Sequence, residues 1–477
     1  MTNYEGHLAT VPNFFSFNNI SKNGANTKAE QAGYIDNNQA VFATFQLGYK
    51  SWAYLDLTAR NDWFSTLANT DNEKSGFFYP SVGVSAVVSE MFDLSKAYIS
   101  FLKFRASYSE VGNPPMRQIT MPTYTVKDGI VNTSSRLLNP DLKPERTKSV
   151  EIGMNLRMFQ NLLNIDFTYY NSNTYNQFIN YTMPPSTGYS NYMLNGGKVN
   201  NWGIEARLGI DANLGPVKWN SNLTFTMNRN KVVYLLPGGA TNPITGEPIS
   251  ITEIEPFNPQ GSYKMIVKEG GTLSDIYVTG LKIDYLGNIK VDANTGAIEA
   301  DPNTWIKAGS AAPRFNWGWN NSFSWKGINL SFLIDARIGG VGVSATQAKM
   351  DYYGTSKTSA IVRDNGGVNL NSGRVTAKDY YNVLGNGATG VLANYVYSMT
   401  NVRLREATLG YTFPTKWFGN QIQNLTVSLI GKNLFMFHNK APFDPELSAS
   451  TGTYYQGFDY FMQPSVRSIG FSVKFQY

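Results

Sequence analysis

Tyr352 with Tyr353, Tyr380 with Tyr381, and Tyr454 with Tyr455 form three adjacent aromatic pairs, each lying in a stretch without regular patterning. Exposed pairs of this kind can stack on sugar rings or peptides, which is chemistry of capture rather than of covalent conversion. The residue types for covalent work are scarce. There is no cysteine, hence no disulfide, thiolate metal site or thiol nucleophile. Two histidines, His7 and His438, leave little for imidazole catalysis or zinc. Glu253 and Glu255 are of the type that hydrolyses glycosides, but nothing in the sequence places them in a shared cleft, and they read as solvated loop carboxylates. Gly385, Gly387 and Gly390 spell a formal G-x-G-x-x-G. A dinucleotide site needs that motif between a strand and a helix; here it sits in a long loop and runs into "VLANYVYS". No catalytic residue, resident metal or cofactor is assigned, and the chain does not read as an enzyme.

The elements that would hold the tyrosines are more informative. Aromatics make up 14% of the 477 residues and charged residues only 16%, against about 25% charged in ordinary soluble domains. Mean hydropathy is nevertheless polar, at −0.28. These values suit a chain whose apolar residues occupy alternate positions. No run of 18 apolar residues exists, so no transmembrane helix is expected. The opening "MTNYEGHLAT" lacks the basic start and apolar stretch of a secretory signal, so the chain reads as cytoplasmic, or else as a mature or partial chain. The net charge of +6 is dispersed and makes no nucleic-acid patch.

Period-two alternation dominates. In 313–327, Phe315, Trp317, Trp319, Phe323 and Trp325 share one face, with Arg314, Asn316, Gly318, Asn320, Ser322 and Ser324 on the other. The pattern predicts thirteen strands, at about 40–50, 53–63, 77–89, 99–110, 147–158, 162–177, 198–213, 216–230, 312–325, 328–338, 399–413, 422–434 and 465–477, with a further strand or strand end near 4–18. Most are far longer than the usual five or six residues and match the roughly 9–11 that a tilted strand needs to cross a bilayer. The links alternate between nine residues or fewer and thirteen or more. An up-and-down barrel produces that alternation when one rim carries tight turns and the other carries functional loops; a Greek-key sandwich does not. In lipid every backbone amide must be paired, so the strands are expected to close into a ring with an apolar outside and a polar lumen. Aromatic clusters such as "GFFYP" (76–80) and "FTYYN" (167–171) lie near strand ends, as an interfacial girdle should. The chain ends on an amphipathic strand whose Phe471, Phe475 and Tyr477 resemble the insertion signal of bacterial outer-membrane barrels.

The run 139–174, above all Asn139, Pro140, Asp141, Leu142, Lys143, Pro144, Glu145, Arg146 and Thr147, resembles the C-terminal barrel half of TonB-dependent transporters of the SusC/RagA-like branch of the Bacteroidetes. "LKFRASYSEVGN" (102–113), 309–340, "NVRLREATLGYTFP" (401–414) and "LTVSLIGKNLFMF" (425–437) extend the likeness from about residue 40 to the end. The resemblance implies an all-β, antiparallel up-and-down transmembrane barrel of 22 strands, of which thirteen or fourteen are present and from which the plug domain is absent. Residues 1–39 are then an extracellular loop or the end of a preceding strand. Residues 40–477 are the C-terminal part of the barrel, with long extracellular loops at 111–146, 231–311, 339–398 and 435–464. The family often has a calcium-like stretch before the strand that starts near Pro313. Here "DANTGAIEADPN" (292–303) stands in that place, but Gly296 falls one position early for an EF-hand, and a plain acidic hairpin turn is the stronger reading.

The same resemblance implies uptake of an oligosaccharide or peptide substrate. A SusD-like surface lipoprotein would capture it, and the TonB–ExbB–ExbD complex would supply energy through a region outside this chain. Barrel assembly machinery and outer-membrane lipid complete the expected partners, and no nucleic acid is among them. Inward charges in this register are Asp56, Arg60, Lys103, Arg105, Glu151, Arg157, Asp166, Glu205, Arg207, Arg314, Asp335, Arg337, Arg403 and Arg405, lining the cavity around the plug or simply solvating it. Two alternatives from other classes remain: a passive porin-like barrel of fourteen strands, and a soluble carbohydrate-binding or hydrolytic β-protein.

Overall fold

The computed structural model describes residues 35–117, 119–121, 135–292, 295–370, 373–386, 390–419, 424–446 and 456–476, with short pieces before residue 35 and between 125 and 132. His7, Gly387, Tyr454, Tyr455 and Tyr477 lie outside the described residues.

Thirteen strands run in chain order through one antiparallel sheet. They are β1 (Asn38–Tyr49), β2 (Ala53–Phe64), β3 (Phe77–Val87), β4 (Ile99–Asn113), β5 (Glu145–Met158), β6 (Leu163–Thr182), β7 (Asn191–Leu214), β8 (Val217–Tyr234), β9 (Phe315–Trp325), β10 (Ile328–Ile338), β11 (Asn401–Phe413), β12 (Asn424–Asn439) and β13 (Ser468–Gln476). Each corresponds to a segment that the alternation predicts. The sheet is a single wall, not two layers stacked face to face, which removes the sandwich alternative. Most of the segment near 4–18 lies outside the described residues; its first two residues belong to Thr2–Glu5, which pairs with Lys28–Gln31 in a separate two-stranded sheet.

The pairing register separates the two faces. On one rung Met154, Phe167, Ala206, Phe225, Trp317, Ala336 and Val402 lie side by side across β5 to β11. One residue along, Asn155, Asp166, Arg207, Thr224, Gly318, Asp335 and Arg403 form the next rung on the opposite face. Apolar residues therefore meet hydrocarbon and polar ones meet the lumen. On β13 the outward Ile469, Phe471 and Phe475 are 71%, 81% and 63% exposed, a cost that only lipid removes. Polar residues do occur on the outward face, and two of them sit on central strands. Asn321 and Ser221 are buried, and their oxygens accept hydrogen bonds from the indole nitrogens of Trp219 (3.2 Å) and Trp319 (3.0 Å).

The tight rim is built from left-handed turns. Lys50 and Ser51 have φ of 46° and 59°, and Lys326 and Gly327 have 47° and 88°. Two consecutive positive φ values are what a type I′ hairpin requires. Shorter and longer links still alternate, but the expected bounds of nine or fewer and thirteen or more do not hold: 88–98, 414–423 and 65–76 miss them by one or two residues, and one link at the opposite rim misses by far more. The predicted loop 178–197 shrinks to 183–190, because β6 and β7 reach 20 and 24 residues. At roughly 3.3 Å per residue these strands continue well past a 30 Å hydrocarbon layer. Above the membrane neither face needs to be apolar, so the alternation that marks a strand in the sequence fades there.

β1 and β13 each have one partner in the wall, and among the described residues no ladder joins them. The ring expected from the sequence is not closed by these thirteen strands, and both edges carry amides that hydrocarbon requires to be paired.

An outward arginine on a central strand and an inward one should differ sharply. Leu208→Arg is expected to destabilise the folded protein in bilayers by about 2–4 kcal/mol and Thr226→Arg by less than about 1 kcal/mol, measured by urea unfolding in lipid vesicles.

Candidate functional site

The candidate site has two parts: the polar wall of the lumen and a platform at the long-loop rim. The links 235–314, 339–400 and 440–467 pack together into that platform. It contains a four-stranded sheet, Glu253–Gln260, Tyr263–Lys268, Asp275–Leu281 and Ala300–Ser310. It also holds three helices, α1 (Ala345–Tyr352), α2 (Lys357–Asp364) and α3 (Ala377–Leu384), whose first turns are capped by the side chains of Ser344, Ser356 and Thr376. Residues from all three links share one apolar core, including Tyr263, Met265, Ile276, Val343, Leu384, Val391, Tyr395 and Phe458. The rings of Tyr263 and Phe458 lie 4.6 Å apart. Burial drives this: each link alone is too short to cover its apolar residues, and together they do so.

This packing corrects part of the aromatic prediction. Tyr380 and Tyr381 are 9% and 6% exposed and belong to the core, so their faces are not offered to a ligand. Burial, ahead of the nearby Asp351, pushes the Tyr381 hydroxyl up to about 12. Tyr353 is 71% exposed and stands edge-on to Tyr352 at 5.0 Å, so of the two described pairs this is the one that offers an open ring; Tyr285, Tyr460 and Phe461, outside the predicted pairs, are exposed on the same three links. Glu255 is ion-paired with Lys264 in the platform sheet. Gly385 follows α3 rather than a strand. The acidic stretch starting at Asp292 is a turn: the Asp292 carboxylate accepts from the backbone nitrogen (2.8 Å) and hydroxyl (2.9 Å) of Thr295. His438 lies in β12 opposite Val402.

On the lumen face, Arg105 and Tyr170 lean across glycines to reach partners one strand further on. Arg105 donates to Asn155 (2.7 Å), Asp166 (3.3 Å) and Thr168, passing over Gly153, where a Cβ would come within 2.5 Å of the guanidinium. Tyr170 passes over Gly203 in the same way to reach Asn228 at 3.1 Å. Arg207 donates to Asn222. Glu151 and Glu205 share this face on β5 and β7. Arg157 lies 5.3 Å over the Phe101 ring, and Arg314 stands at the start of β9 with its carbonyl held by Arg229.

The motif that carries the family resemblance is structural here. Leu142 is fully buried against Ile119 and Met193, and Pro144 is buried beside it. The backbone of Lys143 is held on both sides by the Asn195 side chain, at 2.7 Å each. Glu145 accepts from Phe178 N (3.1 Å) and Asn113 (3.0 Å). Arg146 reaches over β4 to the carbonyl of Phe78 at 2.9 Å. The segment thus ties β3 to β7 together at the rim.

The densest polar constellation joins wall and platform. Arg405 donates to Asp335 (2.6 and 2.8 Å) and to Glu446 (2.6 Å). Arg403 meets Asp444 at 2.9 Å and Glu446 at 3.5 Å. Arg337 donates to the carbonyl of Ala311. Burial alone would push Asp444 up, but hydrogen bonds from Arg403, Ser465 and the Glu446 amide outweigh it and hold the carboxyl at about 2. Asp335, Arg337, Arg403 and Arg405 are all among the predicted lumen charges. Asp444 and Glu446 were not, although "FDPE" (443–446) begins shortly after strand β12 ends at Asn439. A wall with three arginines and one carboxylate was the signal that something acidic must return to it.

A continuous antiparallel wall with a lipid-facing apolar side, a polar lumen side and elaborate loops at one rim defines a transmembrane β-barrel protein of the outer-membrane kind. The chain belongs to the family described as TonB dependent receptor-like, beta-barrel, which matches residues 3–253, a family of receptors and transporters rather than of enzymes. TonB-dependent receptors P3 and P26 of Formosa agariphila are 24% and 26% identical over 99% and 96% of this chain. The chain spans about half the length of these curated relatives, 49% and 48%. The RagAB peptide importer in its open-open state aligns with TM-score 0.72 and 18% identity, over 97% of this chain and 48% of that one. Its closed-closed state aligns with TM-score 0.69, again at 18% identity, over 96% and 49%. At this identity the likeness is one of fold.

The platform should behave as one cooperative unit. Leu384→Ala is expected to cost about 2–5 kcal/mol locally and to expose 235–314, 339–400 and 440–467 together to limited proteolysis, while the wall stays folded. Because Asp444 is held below its ordinary 3.8, its stabilising contribution is complete above pH 4 and is lost as pH falls toward 2. Asp444→Asn should release 440–467 to protease at neutral pH, at a cost of roughly 3 kcal/mol.

Proposed function

We propose that this chain forms the C-terminal wall and extracellular platform of a SusC-like, TonB-dependent nutrient importer in the Gram-negative outer membrane. The observation that carries this reading is the combination of a lipid-matched wall with a platform assembled from three of its long links. A passive pore needs the first but has no use for a dedicated rim structure of this size. The lumen charges, from Glu151 and Arg157 through Arg403 and Arg405, form the wall of the solute path around a plug supplied outside these residues. Tyr352 and Tyr353 are the aromatic contacts for a sugar or peptide at the rim. A SusD-like lipoprotein covers the platform, and the TonB–ExbB–ExbD complex acts through the region outside this chain. The RagAB importer, named for peptides, supports a peptide cargo as much as a glycan.

Deletion of the gene should abolish growth on one class of glycan or peptide as sole nutrient source, and uncoupling the proton gradient should abolish uptake in the wild type. Uptake that persists without the gradient, with steady ohmic conductance of the full protein in planar bilayers, would establish the passive porin instead. Tyr353→Ala is expected to weaken capture by about 1–3 kcal/mol, read as a rise in the concentration needed for half-maximal uptake.

A further inference from the structure

We propose that the Arg405 guanidinium, flanked by Arg403 and Arg337, is a binding site for a carboxylate-bearing solute, and that Glu446 is its internal, displaceable occupant. The proposal rests on the reading that this face of the wall lines a solute path.

Charge balance is the first argument. The wall places Arg337, Arg403 and Arg405 against the single carboxylate of Asp335. It therefore carries an excess of two positive charges, and the platform segment returns Asp444 and Glu446 to neutralise them. The two loop carboxylates are not equivalent. Asp444 has a side chain 9% exposed, bound to Arg403, which is 3% exposed. It also accepts from the backbone nitrogens of Glu446 (3.0 Å) and Ser465 (3.2 Å). This is a fixed anchor. Glu446 and Arg405 are 27% and 30% exposed, so their contact at 2.6 Å is open to competition from solution.

Incomplete satisfaction is the second argument. One oxygen of Glu446, Oε1, makes both of its arginine contacts. Among the described residues, Nη1 of Arg405 has only a 3.4 Å contact, to Asn433. Nε of Arg337 and Oδ1 of Asp335 are closed off from solvent and have no hydrogen-bond partner among the described residues. A free carboxylate can lay both oxygens on the Arg405 fork, the arrangement in which guanidinium binds carboxylate best. Glu446, restrained by the Asp444 anchor two residues away, uses one. A tethered competitor acts at an effective concentration on the order of millimolar, so the site stays masked to dilute anions and opens to a solute that reaches the lumen at high local concentration. The ligand chemistry is a carboxylate on a small polar body, whose source is an acidic peptide or a sugar acid.

The test uses the full chain in detergent and calorimetric titration with triglutamate and trigalacturonate, with triglutamine and galactotriose as uncharged controls. Glu446→Gln removes the competitor and leaves the Asp444 anchor, so it should bind at least one acid about tenfold more tightly than the wild type, with the controls unchanged. Whichever acid gains identifies the source. Arg405→Gln placed in the Glu446→Gln background should return the affinity to the wild-type level or below. The proposal is overturned if Glu446→Gln, still showing the heat-dependent electrophoretic shift of a folded barrel, binds both acids no better than the wild type. It is equally overturned if Arg405→Gln leaves the gain intact, or if the uncharged oligomers gain as much as the acids. None of these results bears on nutrient uptake or conductance, so the importer reading stands or falls separately.

Discussion

Hydrocarbon offers no partner for a peptide N–H or C=O, and every other feature of this molecule follows from that. A chain crossing the bilayer as strands must hydrogen-bond each strand to the next, so the thirteen wall strands run in unbroken sequential order. The sheet then has one face in lipid and one in the lumen, and the pleat sends neighbouring residues to opposite faces. Met154 and Asn155, Phe167 and Asp166, Trp317 and Gly318 are adjacent in sequence and a membrane apart in environment. The same constraint explains Asn321 and Ser221: polar groups on the lipid side survive there because tryptophan N–H groups reach them.

Outside the bilayer the constraint lifts, and the architecture changes with it. Water can satisfy backbone groups, so β6 and β7 extend, their upper ends packed into small apolar clusters through Ile179, Tyr192, Met193 and Leu194, and the links acquire helices and a sheet of their own. What organises those links is ordinary burial, with Tyr263, Leu384, Tyr395 and Phe458 drawn from different links into one core. Wall and platform meet at the arginine cluster. There the geometry of β10 and β11 concentrates positive charge, and the return of Asp444 and Glu446 sets the position of the last link.

Much of the wall could be read directly from residue types, because alternation is a local signal enforced once per residue. The shared face of Asp335, Arg337 and Arg403 follows from parity and matches the pairing register, whereas Arg405 sits at a bulge that the register skips, and it is its hydrogen bonds to Asp335 that set it beside them. The tyrosine pairs show the limit of such reasoning. Tyr352 with Tyr353 and Tyr380 with Tyr381 look the same as dipeptides, yet the first presents an open ring and the second is sealed in the core. The difference is made by α3 packing on residues more than a hundred positions away, which no local pattern encodes. Leu142 to Arg146 carried the strongest family likeness, and the structure places them as a tie between strands at the rim.

By itself, the order of residues determined that this chain is a membrane-crossing sheet, which faces meet lipid and lumen, and where the tight turns fall, though not how far β6 and β7 run before they turn. Those properties depend on neighbours two residues apart and on the rule that no amide in hydrocarbon goes unpaired. Only the tertiary structure decided that three long links form one platform, that two of the candidate tyrosines are core, and that Glu446 sits on Arg405. These are contacts between distant segments, selected by packing and charge balance in three dimensions, and their energies leave no periodic mark on the chain.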